Sequence, residues 1–476
     1  MLFIPKFDST NPIFYYEQLY KHIKSEIMSG RISEGTRLPS IRKLADFLSV
    51  SATPVETAYQ QLLAEGFIES RPRKGYFVQQ LPYASLASTS LDSRGNTVDV
   101  EDTLEEKPAY TYDFHISRND FTHFPMRIWR RLLNHVLLSE QNDLLVYGDA
   151  QGEIGLRSEL AVYLHQFRGI DCSPKQIIIG AEQHLLISMV CFMLKGQISK
   201  IGAENPGYRL IPETFKYHGF EVEPLSIGME GVSVDDLYNK GVQLVSITPS
   251  HQFPMGMTMS VSKRLRLLDW AKKVNGFIIE DDYDGEFCYQ NKPIPTLQGL
   301  DPEANVIYLG GFSQALTPDI CIHYLVLPNS LLPAYQQLRT QLLFEQSSSR
   351  IYQRALQLFI QQGHFERHIR KMRKLYQKKH DTLIRAIEKY MGTNVEVIGR
   401  NAGFYILLRV SSSKSEDELL QLAKAVGIRI SSASFTWLTP ICEKPKEFLI
   451  GFSGLELELI EAGICLLANV WGFVTR

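Results

Sequence analysis

Two short stretches hold the residue types from which chemistry is made. The first is Glu280-Asp281-Asp282-Tyr283-Asp284, four carboxylates and a phenol directly after an apolar run that reads as a buried strand. Carboxylates gathered at a strand end could hold magnesium through oxygen ligands, or form an acidic turn with no chemical role. The second is Arg71-Pro72-Arg73-Lys74-Gly75, three cations on a turn between two short apolar runs. Such a turn can meet a phosphate backbone, or can be a solvated loop on a plain three-helix scaffold. The cysteines at 172, 191, 288, 321, 442 and 465 contain no C-x-x-C pair. They suit unpaired thiols in a reducing compartment better than a disulfide frame or a zinc site, and no metal is expected.

These residues need elements to position them. A chain of 476 residues predicts two to four domains, and 44% hydrophobic with 21% charged residues supplies large cores. The net charge of −2 gives no hint of nucleic acid. Residues 1–80 carry 10 Lys and Arg against 8 Asp and Glu, net +2, and the remainder carries net −4, an asymmetry too small to decide anything. No apolar run is long enough to span a bilayer, and the first residues have no signal-peptide pattern. A cytoplasmic protein is expected.

Within 12–80, Leu19, Ile23 and Ile27 recur at helical spacing up to Gly30. Ser40 is placed to cap a second helix whose buried face is Ile41, Leu44, Ala45 and Leu48. After Ser49-Val50-Ser51, the run Thr53-Pro54-Val55-Glu56 predicts a third helix capped by Thr53, with proline at its first position. Phe67–Ser70 and Tyr76–Val78 read as strands flanking the basic turn. Helix, short turn, helix and a basic hairpin is the winged helix-turn-helix layout. Residues 81–111, rich in Ser, Thr, Asp and Glu, read as a flexible linker. From 112 to 476, strand candidates Val242–Ile247, Gly276–Ile279 and Asn305–Leu309 alternate with helices such as Lys263–Val274. That alternation predicts an α/β domain with a mostly parallel sheet, helices on both faces, and a smaller α+β subdomain from about 365.

The head, through Gly35-Thr36-Arg37-Leu38-Pro39-Ser40-Ile41-Arg42-Lys43-Leu44-Ala45, Ala64–Ile68 and Lys74–Val78, resembles the GntR family of bacterial regulators. The resemblance implies that Arg37, Ser40 and Arg42 lie near DNA phosphates. It places Ser51, Ala52, Thr53 and Tyr59 toward the major groove, and Arg71, Arg73 and Lys74 on the wing. Ala52 stands where many relatives have an arginine, so base readout from that position is expected to be weaker or different.

The body resembles fold-type I aminotransferases, enzymes that use pyridoxal phosphate. The matching segments are Tyr147-Gly148-Asp149, Gly180-Ala181-Glu182-Gln183, Asn205-Pro206-Gly207-Tyr208, Thr248–Pro254, Glu280–Asp284 and Gly310–Pro328. The resemblance implies a phosphate-cradling turn at Ala181 and Glu182. It also implies that Asp281 faces the pyridine nitrogen, that Tyr283 bonds the ring hydroxyl, and that Tyr208, His251 and Ser313 stand around the ring. Head and body together resemble the MocR subfamily of regulators, which implies operator DNA, a head-to-tail homodimer and a small-molecule effector. This chain departs from the pattern at the imine lysine, which is Gln314, at a phosphate-holding cation, which is Cys321, and at a glycine, which is His323. Leu449 stands where the substrate carboxylate would meet arginine.

A glutamine amide cannot form the imine, so the expected protein is a DNA-binding regulator with no catalytic residues. Three readings of its body remain: a non-covalent site for pyridoxal or pyridoxamine phosphate, a site for another ligand with Cys321 and His323 as polar contacts, or a dimerisation scaffold. The alternative class is an enzyme running altered chemistry with pyridoxamine phosphate.

Overall fold

A computed structural model of the chain describes residues 14–80, 110–139, 143–289, 295–342, 348–400, 403–439 and 445–473. The chain divides into two compact units, Met1–Pro108 and Ala109–Arg476. Most of the expected linker, residues 81–109, lies outside the described residues.

In the first unit α1 spans Tyr15–Met28, α2 Ile41–Leu48 and α3 Ala52–Ala64, followed by the antiparallel strands β1, Ile68–Arg71, and β2, Gly75–Val78. The apolar stripes read from spacing converge: Leu19, Ile23, Leu44, Ala45, Val55, Ala58 and Leu62 form one core. Ser40 caps α2 by accepting from the Lys43 amide, and Ser49, in the left-handed region at φ 52°, ends it. The helix α3 begins earlier than expected. Its N-cap is Ser51 rather than Thr53, and Pro54 is its third residue. The first four helical amides have no partner within the helix, so proline there still removes no bond.

In the second unit an eight-stranded sheet runs in the order 177–180, 323–326, 306–311, 277–281, 244–247, 200–205, 221–228, 231–232. The strands from 306–311 through 221–228 are parallel neighbours. The strand His323–Val326 runs antiparallel to both of its neighbours. Strand residues alternate between two cores, with Ile177, Ile179, Tyr308 and Tyr324 in one and Ile178, Ile307, Leu309 and Leu325 in the other. Both faces are therefore covered, as a parallel sheet requires.

The last part holds the 27-residue helix His364–Tyr390 and an antiparallel sheet ordered 395–398, 405–410, 447–451, 431–432. The opening of this unit joins that C-terminal part: Tyr112–Asp113 pairs in parallel with Ile428–Arg429, and Phe114 is wholly buried. Lys379 from the long helix, buried, bonds Asp120 at 2.8 Å and the Ser453 carbonyl at 2.8 Å. No helix among the described residues is long and apolar enough to cross a membrane.

Candidate functional site

Sheet register builds the site. Leu309 pairs with Asp281, Gly311 with His323 and His323 with Gly180, so the C-terminal ends of the parallel strands gather these residues on one edge. That edge is where open parallel sheets bind ligands. A cavity of about 220 Å³ opens there, lined by Gln183, Tyr208, Phe253, Asp281, Tyr283, Ser313, Gln314, His323 and Tyr405 among others. No lysine or arginine is among its described lining residues.

The acidic run divides among separate partners. Glu280 accepts the Leu297 amide at 2.9 Å and lies 3.6 Å from Arg264. Asp282 pairs with Arg168 at 2.5 Å and accepts from the Tyr308 hydroxyl at 2.6 Å. Asp284 accepts from His251 Nδ1 at 2.6 Å. Of the four carboxylates, Asp281 alone is among the described residues that line the cavity. It is 2% exposed, and its Oδ1 meets no hydrogen-bond donor among the described residues. Burial, reinforced by Asp282, Asp284 and Glu204, pushes its carboxyl up to about 8.

At the opposite end, His323 Nδ1 lies 3.0 Å from the Ala181 carbonyl and Nε2 3.1 Å from Ser313 Oγ. A carbonyl only accepts, so Nδ1 carries the proton and Nε2 accepts from the serine. Burial lowers the His323 pKa, which favours the neutral ring. The imidazole packs against Gly311 so closely that a Cβ there would lie 2.4 Å from its Cδ2. The Gln314 Oε1 accepts from Asn119 Nδ2 at 2.7 Å.

Of the residues expected around a cofactor, Tyr208, Asp281, Tyr283, Ser313 and Gln314 line the cavity. The others do not. Ala181 offers a carbonyl to His323, and Glu182 is an exposed helix N-cap whose side chain makes no capping bond. His251 is held behind the cavity by Asp284, with its carbonyl accepting from the Tyr283 hydroxyl at 3.1 Å. Cys321, at φ 48°, turns its thiol to the Pro318 carbonyl. Sequence reasoning missed Asn119, Phe404, Tyr405 and Phe435, which reach the cavity or its glutamine from distant segments and carry no local signal.

In the head, Arg37, Ser40, Arg42, Ser51, Thr53, Arg71, Arg73 and Lys74 are all exposed. Arg71 is held by Glu69 at 2.5 Å and lies over the Phe77 ring, 4.5 Å from its centroid. Arg73 sits at φ 60°, at the tip of the turn. Tyr59 corrects the expectation of a groove contact. It is wholly buried, its hydroxyl donates to the Pro39 carbonyl at 3.0 Å, and its ring meets Tyr76 edge-on. An apolar ring at an inward helix position buries area that groove contact would expose.

A winged helix-turn-helix unit and an aminotransferase-fold unit with an edge cavity together define a transcriptional regulator of composite type. The comparisons place the chain among known families. The family described as "Bacterial regulatory proteins, gntR family" matches residues 15–78, and "Aminotransferase class I and II" matches residues 113–455. The chain is 40% identical to the uncharacterized HTH-type transcriptional regulator YhdI of Bacillus subtilis, over 98% of each protein. It is 29% identical to the probable rhizopine catabolism regulatory protein MocR of Rhizobium meliloti, over 94% of this chain and 92% of that one. An archaeal alanine:glyoxylate aminotransferase superposes with TM-score 0.70 at 25% identity, covering 78% of this chain and 92% of that one. This chain belongs to the HTH-type transcriptional regulators that join a GntR head to an aminotransferase class I and II domain, the MocR subfamily.

Proposed function

We propose that this regulator grips operator DNA through Arg37, Arg42, Arg73 and Lys74, with Ser51 and Thr53 at the exposed start of α3, and that its large domain is catalytically silent. One observation carries the second half: Gln314 lines the cavity with its amide oxygen bonded to Asn119, and no lysine is among the described lining residues. An amide has neither the nucleophile for a covalent cofactor link nor a pKa suited to proton transfer.

The residues fit one end of pyridoxal phosphate only. Asp281, buried and with an Oδ1 that meets no donor among the described residues, suits a protonated ring nitrogen. The far end offers a neutral His323 and a Ser313 hydroxyl already donating to it. A dianionic phosphate ester finds no lysine or arginine among the described lining residues there, and the domain is therefore read as an effector and dimerisation module. A head-to-tail homodimer would set two heads on two operator half-sites.

The test is a DNA titration of the full-length protein against salt, with Arg42→Ala and Lys74→Ala together, beside an amino-transfer assay with added pyridoxal phosphate. The reading expects weaker, less salt-dependent DNA binding in the double variant and no amino transfer. Unchanged DNA affinity and salt slope would refute the DNA half, and turnover would refute the silent domain.

A further inference from the structure

The cavity combines three features that together specify a ligand. Its inner wall holds one buried carboxylate, Asp281, whose Oδ1 meets no donor among the described residues. A buried carboxyl oxygen left without a hydrogen-bond partner is costly, so the wall calls for a nitrogen that can share a proton with it. The surrounding surface is aromatic. Phe253 stands at its centre, with ring centroids 5.6 Å from Tyr405, 6.1 Å from Tyr208 and 6.3 Å from Phe435. Aromatic faces carry negative charge density and attract organic cations.

The remaining end offers an anion no lysine or arginine among the described lining residues. His323 pairs with Gly180 and Gly311 in the sheet register, its ring packs against Gly311, and its two nitrogens engage Ala181 and Ser313.

We infer that this cavity is a binding site for a small, phosphate-free aromatic nitrogen base, held by one proton shared between its nitrogen and Asp281, and that His323 excludes phosphate esters of the same ring. The inference deepens the effector reading above and rests on it only for its biological consequence, since binding itself needs no DNA. About 220 Å³ admits a single substituted ring.

The experiment is calorimetric titration of the full-length protein with pyridoxamine and, separately, with pyridoxamine 5′-phosphate, two probes that differ only by the phosphate. Pyridoxamine is expected to bind at least tenfold more tightly than its phosphate. Asp281→Asn is expected to weaken pyridoxamine at least tenfold. His323→Gly, which vacates the closed end, is expected to raise affinity for the phosphate ester at least tenfold. Melting curves establish that both variants fold. The inference is overturned if the phosphate ester binds wild-type protein as tightly as pyridoxamine, if pyridoxamine gives no heat, or if Asp281→Asn binds it undiminished. DNA titrations of the same preparations separate the two readings: failure here leaves operator affinity intact, whereas failure of the regulator reading leaves cavity binding intact.

Discussion

Asn119 Nδ2 donates to Gln314 Oε1 across 2.7 Å, joining two side chains 195 residues apart in the chain. The bond holds the Gln314 amide at the wall of the cavity. Ser453 secures Asn119 in turn, its hydroxyl lying 3.0 Å from Asn119 Oδ1. Lysine at 314 would set an ammonium against the Asn119 amide donors. Gln314→Lys is expected to destabilise the domain by about 1 kcal/mol through the lost bond. It is also expected to form no adduct with pyridoxal phosphate, because His323 still closes the far end. Borohydride reduction followed by intact mass reads the outcome, and stoichiometric labelling of this single variant would contradict it.

Asp281 makes stability depend on pH. Its folded carboxyl lies near 8, raised by burial and by Asp282, Asp284 and Glu204, with the Tyr208 and Tyr283 hydroxyls also near it. A folded value above the ordinary carboxylate range means the stabilising contribution is fully present in acid and lost as pH rises toward 8. The loss reaches about 1.4 kcal/mol per pH unit at most. Asp281→Asn removes this titration, so its melting temperature should gain on wild type steadily between about pH 5 and pH 8. A pH-independent difference would show that Asp281 titrates normally.

The Lys379–Asp120 pair ties the opening segment of the large domain to its long helix. Burial works against the Asp120 charge, but hydrogen bonds from Lys379, Thr122 and His123 hold the carboxyl down at about 2. That stabilisation is present above the ordinary carboxylate range and is lost as pH falls toward 2. Lys379→Met strands a buried carboxylate and should cost about 3–5 kcal/mol, measured by denaturant unfolding.

Tyr59 is a core residue, so its variants separate folding from DNA contact. Tyr59→Phe should cost about 1 kcal/mol for the lost bond to Pro39 and leave operator affinity within about twofold. Tyr59→Ala should cost about 3–5 kcal/mol and melt the head. A large loss of affinity in a fully folded Tyr59→Phe protein would place this hydroxyl at the groove after all.

Arg42 and Lys74 are exposed and aimed at phosphates under the proposal. Replacing both with alanine should flatten the dependence of log affinity on log salt by roughly two units, about one per phosphate contact. Filter-binding or anisotropy titrations across a salt series measure the slope.

The sequence alone determined what is local. Apolar spacing marked the three head helices, the wing and the buried strands, because side-chain periodicity reports directly which face of an element leaves water. Gln314, Cys321 and His323 could be read as departures because residue type at a fixed spacing is itself sequence information. Periodicity could not say what lies opposite. The family resemblance placed Tyr59 toward the major groove, whereas the core closes over it. The resemblance likewise set Cys321 and His251 at the cofactor site, whereas a left-handed turn and a bond to Asp284 direct them elsewhere. Periodicity gave no sign that Asn119 would meet Gln314, or that Tyr405 and Phe435 would wall the site. Those partners were decided by sheet register and by the packing of the C-terminal subdomain, long-range contacts whose energies depend on shape across the assembled core and leave no trace in the neighbouring residues of either partner.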